Sequence, residues 1–428
     1  MHNAHDSLQR GLVKIARAAI TAAVLDVCMW SMAFGQTVTD PTKPAAPSPT
    51  PSPNPGPPGP FTFTAAAIVD LLGDAMGGKD AGEFGYVHLL KLSAAYDGAT
   101  DGLPGLTGLV SVAHVSGSDF SADDVGSVQD ISASEAEPGG LRLYEAWVQQ
   151  EMDDGIGGIK AGLIDINTTF DVQETAALFL NASQGIGPDI SDTGVNGPSD
   201  YPRPAPAIAA FYRPAEDWTA QLGVFDGAAG NPADKSAFFG VRLDGALIIG
   251  QLERRFGDVA RVEAGLWSYT AAFPLLGLSL SDGSTPTSRD NNGLYSLVEG
   301  RLLPKSNDDQ GGLSGWVRVG VANGNINEVA NYLGAGLVYT GLIEGRDKDE
   351  IGLAIARAGF GGGAHNVANL EGQPIGDAET DLEATYRYAF SDWLNIQPDV
   401  QYVVSPHGDL HVQNAFVVGV RLAFTYTR

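Results

Sequence analysis

The chain has 428 residues, with 51 acidic against 25 basic side chains, a formal charge of −26 and 55 glycines. This balance argues against nucleic acid and against anionic lipid as partners, because both need clustered Lys and Arg. A mean hydropathy of −0.03 is too low for a helical membrane bundle, and beyond the N-terminus no apolar run reaches the roughly 18 residues that a membrane helix needs.

Residues 1–35 read as an export signal. Arg10, Lys14 and Arg17 form a basic start, Ala18–Met29 is mostly apolar although Asp26 interrupts it, and Ala33-Phe34-Gly35 puts small residues at −3 and −1 of a cleavage site. An amphipathic N-terminal helix is the alternative. Cys28, the single cysteine, lies in this segment, so cleavage there leaves a chain without thiol or disulfide chemistry. Residues 36–60 form a Pro-rich, disordered linker: ten of the twenty residues from Pro41 to Pro60 are proline, too few are apolar to fold, and the segment serves as a tether or an inert spacer.

From Phe61 onward no second break in composition marks another domain, and the readable segments alternate with a period of two. Around Leu141–Met152 the phase slips, Leu141 and Leu143 matching one face and then Tyr144, Ala146 and Val148, as a bulge produces. Arg261, Glu263 and Trp267 stand opposite Val262, Ala264 and Leu266. Tyr295, Glu299 and Arg301 stand opposite Leu294, Val298 and Leu302, and Trp316 and Arg318 opposite Val317, Val319 and Val321. Gly336–Ile343 and Glu350–Ala356 flank a charged turn and predict a hairpin. A second hairpin runs Asp381–Arg387, turns at Ser391-Asp392 and returns through Leu394–Tyr402, with Pro398 on the apolar face where its missing donor suits an edge or irregularity. The last strand puts Phe416, Val418, Val420, Leu422, Phe424 and Tyr426 on one face and Gly419, Arg421 and Thr425 on the other.

Alternation shows only that one face is buried. The polar face is either the solvated side of a soluble sandwich or the water-filled lumen of a transmembrane antiparallel β-barrel. One strand per about 23 residues predicts about 16 strands over 61–428, wide enough for an aqueous channel. The export signal and the aromatic final strand favour the barrel.

Enzyme signatures are scarce. Gly359–Ala364 partly mimics a dinucleotide fingerprint without a βαβ context or a downstream helix to support it. His407 and His411 follow Ser405-Pro406 in what reads as an exposed loop, and no further His or Cys completes a metal site. Acidic pairs such as Asp123-Asp124 and Asp308-Asp309 either hold calcium loosely or are simply solvated. The sequence thus points to no enzyme and to no cofactor.

Leu141–Gln150, Lys160–Phe170, Phe179–Ser183 and Gly197–Pro202, followed by Tyr332–Gly341 with Asp349 and by Ile396–Val403, form an ordered set that resembles carbohydrate-selective porins of the OprB type. The resemblance implies a Gram-negative outer-membrane porin that passes monosaccharides and other small polar solutes by diffusion, with small sugars and outer-membrane lipid as its partners and a monomeric or homotrimeric assembly. Two features depart from the pattern: the chain ends Thr427-Arg428 rather than on an aromatic residue, and the Pro-rich leader is not part of it. The lumen candidates read from the alternation are Glu145, Trp147, Gln149, Arg261, Glu263, Trp267, Glu299, Arg301, Arg318, Glu383, Arg387, Asp399, Gln401 and Arg421. Such side chains exchange for a sugar's hydration shell and stack on its C–H faces. The rival reading is a secreted, soluble β-rich carbohydrate-binding protein or hydrolase.

Overall fold

The computed structural model describes residues 59–428 apart from 137–138, 153–154, 196, 230–244 and 306–307, and the side chains of 308–310. The proposed signal segment and all of the linker except its last two residues therefore lie outside the described residues, as do the side chains of the Asp308-Asp309 pair.

The strands are β1 (Phe61–Gly78), β2 (Phe84–Asp97), β3 (Leu106–Gly117), β4 (Gly140–Met152), β5 (Gly157–Ile164), β6 (Ala205–Ala215), β7 (Trp218–Asp226), β8 (Ala246–Phe256) and β9 (Ala260–Tyr269). They continue as β10 (Phe273–Pro274), β11 (Thr287–Ser288), β12 (Asn292–Lys305), β13 (Asp308–Ala322), β14 (Val329–Thr340), β15 (Glu350–Phe360), β16 (Ala378–Ser391), β17 (Leu394–Val404) and β18 (Gln413–Thr427). β10 and β11 make a small hairpin of their own. The remaining sixteen pair antiparallel with their neighbours and close into a barrel where β1 meets β18, from Thr64 opposite Thr427 to Gly78 opposite Gln413. Closure removes the open sheet edges that a membrane does not tolerate.

The alternation sets the two faces. Val110, Val148, Ile208, Leu222, Leu266, Leu294, Val298, Val317, Val319, Leu337, Leu353 and Leu382 all point outward and are exposed. Each such side chain left in water would forfeit about 1.5–3 kcal/mol of transfer free energy; together they form an apolar band that suits hydrocarbon, and with the closed barrel this disfavours the soluble β-rich alternative. At one end the strands are joined by short turns such as Glu216-Asp217 and Asp392-Trp393, and exposed aromatics gather there, including Phe61, Phe63, Tyr212, Phe256, Phe390, Trp393 and Tyr426. Short turns and an aromatic girdle mark the periplasmic end; the long loops lie at the outer end.

Local irregularities follow from single residues. Ser111 pairs Glu145 and Val112 pairs Leu143, so Tyr144 is the extra residue of a bulge, and its ring turns inward rather than sharing the outward face of Ala146 and Val148. Pro398 sits inside β17 opposite Val420, and the ladder to β16 is interrupted beside it, between Thr385–Asp399 and Tyr388–Ile396. A helix, Gly362–Glu371, does follow the glycine run after β15, contrary to the sequence reading, but the chain then returns antiparallel as β16, so no dinucleotide-binding unit results.

Candidate functional site: a constricted water path

Two outer loops fold back into the barrel. The β3–β4 loop (118–139) packs Phe120, Val125 and Ile131 against Leu72, Val403, Ala415 and Val417 of the wall. The β5–β6 loop (165–204) packs Ile166, Phe170 and Ile190 into a cluster with Phe225, Ile249, Trp267 and Tyr295, and Leu178 and Phe179 against Leu297, Trp316 and Val338. A loop taken out of water must still satisfy its backbone donors and acceptors, and the wall's polar face does this.

Glu299 accepts the N–H groups of Glu174 at 3.1 Å and Thr175 at 2.6 Å, and Glu383 those of Leu180 at 2.6 Å and Asn181 at 3.2 Å. Gln397 donates to the Leu178 carbonyl at 2.7 Å, and Gln401 to that of Ile131 at 2.9 Å. Glu379 accepts from Ser127 Oγ and from the Val128 and Gln129 N–H groups at 2.6–2.9 Å. Arg318, fully buried, holds Asp171 at 2.7 and 3.2 Å and also binds Asp189, between the rings of Tyr295 and Tyr332. Arg261 binds Glu253, Glu263 and Glu299 and donates to the Val172 carbonyl.

These contacts locate the sequence-predicted residues. Arg261, Glu263, Glu299, Arg318, Glu383, Asp399 and Gln401 all face inward, but beneath the folded-in loops, and Trp267 is part of the apolar cluster under the same cover. Arg387 pairs with Glu350 toward the periplasmic end, and Arg301 is half-buried near that end.

Water reaches a different stretch of wall. Ile68, Leu89, Lys91, Ser93, Arg142, Gln149 and Arg421, on β1, β2, β4 and β18, are only partly buried. Lys91 Nζ lies 3.8 Å from Glu145 and 4.5 Å from the centre of the Tyr144 ring, and Lys160 Nζ lies 4.1 Å from that of Trp147, whose indole N–H donates to Glu145 at 3.2 Å. Arg421 grips Asp70 with two 2.7 Å bonds and touches Ser132 and Ser134 of the β3–β4 loop. From the facing loop, the Tyr201 ring meets Tyr144 edge-on at 5.9 Å and its hydroxyl donates to the Ser134 carbonyl at 2.8 Å, while Tyr144 donates to Asp165. The packed loops thus narrow the bore, and the stretch of wall they leave partly open presents ammonium, guanidinium and aromatic groups side by side.

Of this set the sequence reading named Glu145, Trp147, Gln149 and Arg421. It missed Lys91, although Leu89, Lys91 and Ser93 alternate with Leu90 and Leu92, and it assigned no role to Tyr144, Lys160 or Tyr201, which lie in stretches that carry the family resemblance.

The profile of the "Carbohydrate-selective porin, OprB family" matches residues 84–426. Porin B of Pseudomonas aeruginosa is 25% identical over 315 residues, covering 66% of this chain and 67% of that protein. Among solved structures, Pseudomonas putida OprB at high pH superposes with a TM-score of 0.78 at 20% identity, covering 86% of this chain and 94% of that one. The outer-membrane channel DcaP of Acinetobacter baumannii gives 0.51 at 9% identity, covering 86% and 96%. At these identities the structural likenesses bear on the fold alone.

Proposed function

This chain belongs to the OprB family of carbohydrate-selective porins, and from that premise we propose that its solute route is the half-open wall of Lys91, Arg142, Gln149 and Arg421, faced by Tyr201. Membership makes it an outer-membrane channel for sugars. The observation that carries the route is the coincidence of water access with sugar-compatible chemistry on one stretch of wall, while the stretch bearing Arg261, Glu299, Arg318 and Glu383 is covered by loop. A monosaccharide passing there exchanges water for the Lys91, Arg142 and Arg421 donors and for the Gln149 amide, which both donates and accepts. Binding stays weak because each of these groups already has a partner that competes with the solute. Glu145, Trp147 and Lys160 are buried behind Lys91 and hold it in place rather than meet the solute. Residues 1–35 are proposed as the export signal and 36–60 as the linker that precedes the barrel.

Proteoliposome swelling tests the route. The protein should pass glucose, and Lys91→Met should change glucose influx about five-fold, the equivalent of one net hydrogen bond of about 1 kcal/mol. Lys348→Met, on the exposed turn between β14 and β15, should change it far less. Equal influx in the wild type and Lys91→Met, or no glucose influx at all, would remove the proposed route.

A further inference from the structure

We propose that His88 of β2 and His114 of β3, on the outward face of the barrel at its outer rim, together bind a divalent transition-metal ion of the Zn2+ type. Both residues are in phase with the exposed, outward-pointing Leu92 and Val110 of the same strands. His88 falls within the first five residues of β2 and His114 within the last four of β3, which puts the pair at the end that carries the long loops. Leu90, Leu92, Val110 and Val112 continue this face toward the membrane, and Leu141 flanks His114 on β4. Two imidazoles side by side are out of keeping with an apolar wall, where a polar group without a partner costs free energy.

The strand register brings the two rings together. His88 pairs with Ser116 and His114 with Leu90, so the histidines are diagonal neighbours on one face, within reach of each other. Their ring centres lie 5.4 Å apart with the planes 18° from parallel, and His88 Nε2 stands 3.4 Å from His114 Nδ1. That separation is longer than the about 2.7–3.2 Å of an ordinary N–H···O bond. It matches two ligands on one metal, because tetrahedral bonds of about 2.0–2.1 Å hold two imidazole nitrogens about 3.3–3.4 Å apart. A small turn about the broad imidazole χ2 torsions aims both lone pairs at one point, and Tyr86, stacked on His88 at 6.3 Å, restricts how far that ring swings. Neutral imidazole suits Zn2+, Cu2+ and Ni2+ rather than Ca2+ or Mg2+. Among the described residues no third His, Cys, Asp or Glu joins the pair, so water completes the coordination shell, as at an open zinc position. A bound ion would staple β2 to β3, one strand away from the β1–β18 seam.

The test uses untagged protein extracted from outer membranes in detergent, stripped with EDTA and dialysed free of it. Equilibrium dialysis with Zn2+ should show a saturable site of about one ion per chain, and X-ray absorption at the zinc edge should show two imidazole nitrogens at about 2.0–2.1 Å. His88→Gln and His114→Gln should each weaken the site at least ~10-fold, the loss that even an outer-shell partner brings, while heat-resistant gel mobility reports that their barrels are folded. The temperature at which that mobility is lost should rise in excess ZnCl2 for the wild type and not for these variants. His411→Gln, which removes an exposed histidine beside Asp409 in the β17–β18 turn, should bind as the wild type does. Absence of a saturable Zn2+ site, a wild-type spectrum without imidazole ligands, or undiminished binding in His88→Gln and His114→Gln overturns the proposal, as does loss of the site in His411→Gln.

Discussion

Replacing Arg318 by Met removes the only cation that contacts Asp171 and Asp189 among the described residues, and leaves two buried carboxylates side by side. Breaking a buried ion pair from one side costs about 3–5 kcal/mol, much of it the desolvation of the charge left behind. The barrel is not expected to pay this by unfolding, because the backbone of residue 318 keeps its ladder pairs with Leu297 and Gly334. The β5–β6 loop gives way instead: about 3–5 kcal/mol shifts the balance between its docked and released states by roughly 10²–10⁴-fold. Planar-bilayer recording should therefore show larger or noisier conductance in Arg318→Met, and limited proteolysis should cut within 165–204. The triple variant Arg318→Met, Asp171→Asn, Asp189→Asn should recover much of the wild-type behaviour, because a buried ion network replaced as a whole is often neutral. Wild-type conductance and protease resistance in Arg318→Met, or a triple variant as open as the single one, would show that the cluster does not hold the loop.

Gly320→Ala attacks the same anchor from the strand, since a Cβ there would stand 2.0 Å from Asp189 Oδ2 and 2.5 Å from Arg318 Nη1; raised conductance with an intact barrel on unboiled gels is expected, and unaltered conductance would contradict it. His407, in the turn between β17 and β18, meets Glu328 Oε1 at 2.5 Å, and this hydrogen bond is the main reason its pKa is raised from the ordinary imidazole value. Because the folded value is the higher one, this contact contributes fully below the unfolded pKa and is lost as the pH rises through the folded one. Proteolysis of 405–412 should thus be faster at pH 8.5 than at pH 6, and His407→Gln should flatten that difference; identical pH profiles would exclude the contact as the cause.

The sequence was sufficient for whatever depends on a period of two. Phe416 to Tyr426 against Gly419, Arg421 and Thr425, or Glu299 against Val298, fixes which side chain meets lipid and which the bore, because a one-residue slip would invert every strand. The approximate strand number follows from the length of 61–428 in the same way. Even Tyr144 announced its bulge as a break in phase, although the direction of its ring did not follow. What alternation could not reveal is which inward side chains see water. Arg318 and Lys91 occupy equivalent inward positions on their strands, yet one is sealed beneath Asp171 and Asp189 while the other lines the half-open wall. Those partners come from loops with no periodicity, which reach the wall across more than a hundred residues of chain in the case of Arg318 and Asp171. Facing is a local property of the backbone, but access to water is set by what else the chain folds into the cylinder, and only the tertiary structure decides that.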